Sequence, residues 1–279
     1  MKNLQPLIAA FCLSLLVLPA LSAPNIVVSI KPLHGLVSAI VTGVSEPELL
    51  IQGSASPHDY ALKPSDASKL QNADIVFWIG PDLETALGAS IQNLASHAQV
   101  YDFTNYQNDL GPHVWLDPQI AIQMSRKIVQ IMGEMDPPNA MRYEENAQQF
   151  SSKVLELEDQ IHQQLSSVTD QPFLTYHDAF TYFTGRFSLM QLGFVTLSEV
   201  QKPGARRIQT LRRMIVENDI KCIFSEPQFD AKIISVLLEA TNAKQGVLDP
   251  IGAEIQMGAN HYYELLQNLA DDISLCLAN

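Results

Sequence analysis

The chain holds seven histidines, His34, His58, His97, His113, His162, His177 and His261. Three of them share a setting. His58 lies in Ser56-Pro57-His58-Asp59-Tyr60, in the loop after a strand expected over Leu49 to Gln52. His113 lies in Gly111-Pro112-His113-Val114-Trp115-Leu116-Asp117-Pro118, beyond a strand expected around Val100. His177 follows directly on the apolar run Pro172-Phe173-Leu174-Thr175-Tyr176. Asp249 ends Gln245-Gly246-Val247-Leu248 in the same way. Ligands of open α/β sheets bind in the crevice beyond the carboxyl ends of the strands. Three imidazoles and one carboxylate suit a borderline ion such as Zn²⁺, whereas Mg²⁺ or Ca²⁺ would call for mostly oxygen donors. A single loop histidine is more often a surface or hydrogen-bonded residue than a ligand. Three at equivalent strand ends carry the expectation of a metal site.

The other histidines have plainer readings. His34 suits a helix start or a supporting position, His97 and His162 solvated helix positions. His261 opens the last helix and pairs on the surface with Glu264. His58-Asp59 and His177-Asp178 echo each other, each followed by an aromatic within three residues. An adjacent carboxylate that orients the imidazole would explain the echo; so would coincidence.

The elements that must position these residues follow from hydrophobic periodicity. Asn25–Ile30 and Ile75–Ile79 are short, continuous apolar runs, the latter closed by Gly80-Pro81. Helical patterns over Leu33–Val41 and Pro64–Leu70 alternate with them. Continuous apolar strands alternating with helices imply a parallel sheet covered on both faces. After Asp136-Pro137-Pro138, apolar residues recur from Ala140 to Val168 at steps of three and four, forming one stripe along a helix. At 1.5 Å per residue such a helix would run roughly 43 Å, long enough to connect two lobes; a coiled coil is the competing reading. From Pro172 the alternation resumes through Gly193–Leu197, Cys222–Glu226 and Gln245–Asp249, with helices expected at about 203–218, 230–242 and 260–277. The expected fold is α/β: two parallel-sheet lobes, residues 23–136 and 169–279, joined by one long helix over 137–168. A cleft between the lobes would gather the four candidate ligands.

Composition excludes several functions. The net charge of −13 argues against a nucleic-acid partner, because phosphate binding needs a basic surface. Residues 1–22 begin Met1-Lys2, run almost wholly apolar from Leu4 to Leu21 and offer small residues around Ser22 and Ala23. They read as a cleaved secretory signal, too short and wrongly flanked for a membrane anchor. Their removal deletes one lysine and no acid, taking the charge from −13 to −14. Cys12 leaves with the signal, and its neighbours Ala10-Phe11 do not resemble a lipidation site. Cys222 and Cys276 remain as an even pair in an exported chain, which an oxidising compartment would join; two reduced, buried thiols are the alternative. No H-E-x-x-H, G-x-S-x-G or G-x-x-x-x-G-K is present. A secreted zinc hydrolase would need a general base, for which Glu226 and Asp178 are candidates that no motif singles out.

In order along the chain stand Pro57-His58-Asp59-Tyr60 with Lys63-Pro64-Ser65-Asp66, Ala73-Asp74-Ile75-Val76 ending at Gly80, and His113-Val114-Trp115-Leu116. Then come His177-Asp178-Ala179-Phe180-Thr181-Tyr182-Phe183, Pro203-Gly204-Ala205, Glu226-Pro227-Gln228-Phe229 and Leu248-Asp249-Pro250-Ile251-Gly252. This series resembles the metal-binding solute-binding proteins of ABC importers, cluster A-I, of the ZnuA zinc-uptake type, over essentially the whole mature chain. The resemblance implies a rigid linking helix with limited hinge motion, and His58, His113 and His177 as metal ligands. Asp249 matches the family's fourth position, which water or another carboxylate fills in some zinc members. Manganese-binding relatives carry Glu where this chain has His177, so the position favours zinc. The Cys222–Cys276 pair matches a disulfide of the ZnuA type. The function implied is a periplasmic carrier, not an enzyme, that binds Zn²⁺ and delivers it to an ABC importer permease, with a monomer expected. A Mn²⁺ or Fe²⁺ carrier of the same fold is the main alternative, and a metal-dependent adhesin a third. One departure is the stretch Asn105-Tyr106-Gln107-Asn108-Asp109-Leu110 before His113, which has no histidine where many zinc members carry a long His- and acid-rich loop.

Overall fold

The β-branched run at the start of the mature chain becomes a fully buried strand, β1 (Ile26–Val28), and sets the pattern for the first sheet. The structure is a computed structural model describing residues 23–196, 203–230, 232–239 and 241–278; the expected signal segment lies outside them. Helix α1 (Lys31–Val41) follows, then the short β2 (Glu48–Leu49), α2 (Pro64–Asn72), β3 (Ile75–Trp78), α3 (Gly88–Leu94) and β4 (Gln99–Asp102). All pairings are parallel, in the order β2-β1-β3-β4. The central strands β1 and β3 are buried at every residue, as their unbroken apolar sequence requires when helices cover both faces.

A second sheet repeats this plan. It comprises β5 (Phe173–Thr175), β6 (Gln191–Phe194), β7 (Cys222–Ser225) and β8 (Lys244–Val247), again parallel, in the order β6-β5-β7-β8. Each strand of the second sheet thus corresponds to the strand four earlier in the first. The correspondence resolves the His-Asp echo: His58 follows β2, whereas His177 follows β5, the counterpart of β1. The two dipeptides are not at equivalent places, so the echo is coincidental.

Two helices come between the sheets in sequence and pack on each other. Helix α4 (Pro118–Met135), which periodicity did not announce, is started by Asp117, whose carboxylate accepts from the Gln119 and Ile120 amides at 2.8 and 3.3 Å. Helix α5 (Ala140–Leu165) realises the long apolar stripe over 26 residues, about 39 Å. It ends three residues before Val168, where the Ser166 hydroxyl turns back to the Gln163 carbonyl at 2.7 Å. Tyr143, Ala147, Phe150, Val154, Leu157, Ile161 and Leu165 are buried against α1, α4 and the last helix, α9 (His261–Leu277). The stripe is therefore consumed within the chain.

The remaining helices are α6 (Thr181–Arg186), α7 (Ala205–Glu217) and α8 (Lys232–Leu238). Helix α9 returns to the first half of the molecule. His261, expected on the surface, is 1% exposed; its ring Nε2 donates to the Gly252 carbonyl at 3.2 Å, and its Cβ packs where Gly35 of α1 has no side chain. Lys31 reaches across to the carbonyls of Ala253 and Ile255. A disulfide joins Cys222 on β7 to Cys276 in the last turn of α9. Gly246 on β8 sits beside it, where a Cβ would lie 2.4 Å from the Phe224 ring. Among the described residues no helix is long and apolar enough to cross a membrane.

Candidate metal centre

Three segments deliver the histidines. The His58 loop is clipped to α2: the Asp66 carboxylate accepts from the Tyr60 hydroxyl at 2.6 Å and from the Lys63 amide at 3.1 Å. The His58 carbonyl accepts from the Thr85 hydroxyl at 2.9 Å. His113 opens a 3₁₀ turn over Val114–Leu116 that is pinned to the second half of the molecule. Trp115 Nε1 donates to the Pro250 carbonyl, and the Tyr262 hydroxyl donates to the Trp115 carbonyl, both at 2.8 Å. Arg186 grips both oxygens of Asp117 at 2.9 and 2.8 Å. Tyr182 bonds the Gly111 carbonyl and Asn108 at 3.0 and 3.1 Å, holding down the short loop before His113. His177 stands two residues past β5, with Tyr176 stacked on Phe229 at 4.7 Å between ring centres.

These segments bring three ring nitrogens to one point. Nε2 of His113 lies 3.3 Å from Nε2 of His58 and 3.3 Å from Nε2 of His177. One ligand atom from each of the three falls within 4.8 Å of the others. Zn–N bonds of 2.0–2.1 Å in tetrahedral geometry require ligand nitrogens about 3.3 Å apart, so the observed spacing fits that ion. Three such donors would leave one coordination position of a tetrahedral ion. The rings are tilted or edge-on to one another, so the close approach is not stacking. Burial, and then the neighbouring His177 and His58, push His113 well below the usual imidazole value. It is therefore held in the neutral form that a metal requires. Its Nδ1 is buried without a hydrogen-bond partner among the described residues.

His177 is oriented from behind by Glu226, at the end of β7. One carboxylate oxygen accepts from the His177 ring Nδ1 at 2.7 Å and from its backbone amide at 3.1 Å. With Nδ1 so engaged, Nε2 is presented to the metal position. Sequence reasoning considered Glu226 only as a catalytic base; its location directly after the strand Cys-Ile-Phe-Ser, the same signal used for the histidines, could have placed it here. Asp178, the sequence neighbour, instead takes a hydrogen bond from Thr181.

The expected fourth donor, Asp249, stands outside the convergent set. Its oxygens accept from the Ile251 and Ala253 amides at 3.1 and 2.6 Å and from Gln228 Nε2 at 2.9 Å. It closes the Pro250–Ala253 turn and steadies Gln228, which lines the histidine cavity with Trp115 and Phe229.

The family described as "ZnuA: Zinc-uptake complex component A periplasmic" matches residues 26–276. A high-affinity zinc uptake system protein ZnuA of Brucella suis is 35% identical over the full length of both chains. Its counterpart from Haemophilus ducreyi is 31% identical, covering 95% of this chain and 97% of its own. Among solved structures, a crystal structure of ZnuA superposes with a TM-score of 0.81 at 23% identity, over 91% of this chain and 99% of that one. A mutant of the laminin-binding adhesin of Streptococcus agalactiae gives 0.80 at 25% identity, over 91% and 99%. With the family match running from the first strand to the last helix, and these relatives aligned nearly end to end, the chain belongs to the ZnuA family of periplasmic zinc-uptake components.

Proposed function

We propose that this protein captures Zn²⁺ in the periplasm through His58, His113 and His177 and hands it to the membrane permease of an ABC importer. The observation that carries the reading is the pair of 3.3 Å separations among the three Nε2 atoms, set at the edge length of a zinc tetrahedron. In this reading residues 1–22 direct export and are removed, and the carrier works as a monomer. Residues 23–136 and 169–279 are its two lobes, with 137–168 linking them. No catalytic step is assigned: Glu226 and Asp178, the carboxylates nearest His177 in space and in sequence, are engaged by His177 and Thr181. The fourth coordination position goes to water or to another carboxylate, with Asp249 as the alternative.

A carrier for Mn²⁺ is the second reading, since a solute-binding protein described in complex with Mn²⁺ shares the fold at a TM-score of 0.81. Three imidazoles favour Zn²⁺ over the harder Mn²⁺, which prefers oxygen ligands. The test is a competition titration of chelator-stripped protein with Zn²⁺ and Mn²⁺. The reading expects Zn²⁺ to win by orders of magnitude and to raise the melting temperature; at 100 times its dissociation constant a ligand adds about 2.7 kcal/mol. Equal affinity for Mn²⁺, or no thermal shift with Zn²⁺, would overturn it.

A further inference from the structure

Each sheet has a switch point, between β1 and β3 in the first and between β5 and β7 in the second, where the strand order reverses direction. Such a point leaves a crevice at the carboxyl ends of the strands. A buried carboxylate closes each. In the second sheet it is Glu226, 2% exposed, which joins the end of β7 to His177. In the first it is Glu84, fully buried, which the metal site as described does not use.

Glu84 accepts from the Ser29 hydroxyl just past β1, and from the amides of Ile79 and Gly80 just past β3, at 3.2 and 2.9 Å. Gly80 has φ +135°, and a Cβ there would lie 2.6 Å from Thr104 Oγ1. The sharp bend that this permits brings the Gly80 amide onto Glu84. A carboxylate so buried is costly to retain: burial pushes it up to about 7, against the opposing pull of its Ser29, Gly80 and Ile79 donors. The next residue, Thr85, donates its hydroxyl to the His58 carbonyl. The chain from β1 and β3 to His58 is therefore unbroken: Ser29, Ile79 and Gly80 fix Glu84, Glu84 fixes Thr85, and Thr85 fixes His58.

We propose that Glu84 and Thr85 form a strut that positions His58 for metal binding, the counterpart in the first lobe of the support that Glu226 gives His177 in the second. Both are positioning residues. The strut rests on the reading of His58 as a ligand. Loss of such a supporting contact costs metal affinity about tenfold or more.

The test is a double-mutant cycle on the full mature chain, read as the Zn²⁺ dissociation constant against a fluorescent chelator, with apo melting temperatures recorded beside it. Thr85→Val removes the donor from an exposed site, Thr85→Ser restores it, and Glu84→Gln places an amide NH₂ against donors. Thr85→Val and Glu84→Gln should weaken Zn²⁺ binding about tenfold, and Thr85→Ser should match the wild type. In a His58→Ala background neither Thr85→Val nor Glu84→Gln should weaken binding further, because their effect passes through His58. A general structural effect would persist in that background, and such additivity overturns the strut. So does an unchanged affinity in Thr85→Val while His58→Ala binds poorly. An unchanged affinity in His58→Ala itself overturns the ligand assignment and the strut with it.

Discussion

One oxygen of Glu226 takes both hydrogen bonds that His177 offers backward, from the ring Nδ1 at 2.7 Å and from the backbone amide at 3.1 Å. The pair is 49 residues apart in sequence but sits at the ends of two adjacent parallel strands, β5 and β7. The contact fixes the ring's tautomer and its direction together.

Replacing Glu226 by Ala should weaken Zn²⁺ binding by about 10- to 100-fold. Glu226→Gln should fall between that variant and the wild type, since its carbonyl can still accept from Nδ1. Competition titration with a zinc chelator measures both. Full affinity in Glu226→Ala would remove Glu226 from the site's working parts.

His113 and Asp249 should separate cleanly. His113→Ala removes the nitrogen common to both close pairs, and Zn²⁺ affinity should drop by orders of magnitude with the apo fold retained. Asp249→Ala leaves three donors without their acceptor, and should lower apo stability by about 1–3 kcal/mol while changing affinity less than tenfold. Calorimetric titration and urea unfolding of the two variants check this. A loss of affinity in Asp249→Ala equal to that in His113→Ala would make Asp249 a ligand.

Acid should destabilise the apo protein through its buried imidazoles. Burial lowers His261 to about 4, and burial likewise lowers His113 and His34. In the unfolded chain these rings take up a proton near 6.5; in the folded protein they do not. Stability is therefore full above about pH 6.5 and falls as the pH drops toward 4. His261 alone accounts for about 3 kcal/mol over that window. Urea unfolding from pH 7 to 4 should show the slope, and His261→Leu should reduce it. A flat profile for the wild type would contradict the burial of neutral rings. Zn²⁺ binding should also weaken as the pH falls, because protons compete for the ligand nitrogens.

Breaking the disulfide should cost stability without touching the site. Cys222 and Cys276 close a loop with a separation of 54 residues, worth up to about 4 kcal/mol on the chain-entropy model. The Cys222→Ala, Cys276→Ala double variant should melt at lower temperature yet bind Zn²⁺ as the wild type does, since the bridge starts β7 and the site lies past its other end. A matching loss of affinity would tie the bridge to the metal centre.

The amino-acid sequence by itself supplied the candidate donors and most of the elements that carry them. A short unbroken apolar run such as Ile75–Trp78, closed by Gly80-Pro81, suits a strand buried on both faces, and the three-and-four spacing from Tyr143 to Leu165 suits one side of a helix. His58, His113 and His177 all come after strands, though at unequal distances: nine residues past β2, eleven past β4 and two past β5. The three-dimensional structure decided what stands behind them. Glu226 rather than Asp178 supports His177, Asp249 is drawn into its own turn, His261 is buried against Gly35, and α9 crosses back to α1. The Asp249 turn is local; the other outcomes depend on strand order and on packing between segments 49 to more than 200 residues apart. Hydrophobic period records which face of an element is covered, but it carries no record of which distant element covers it.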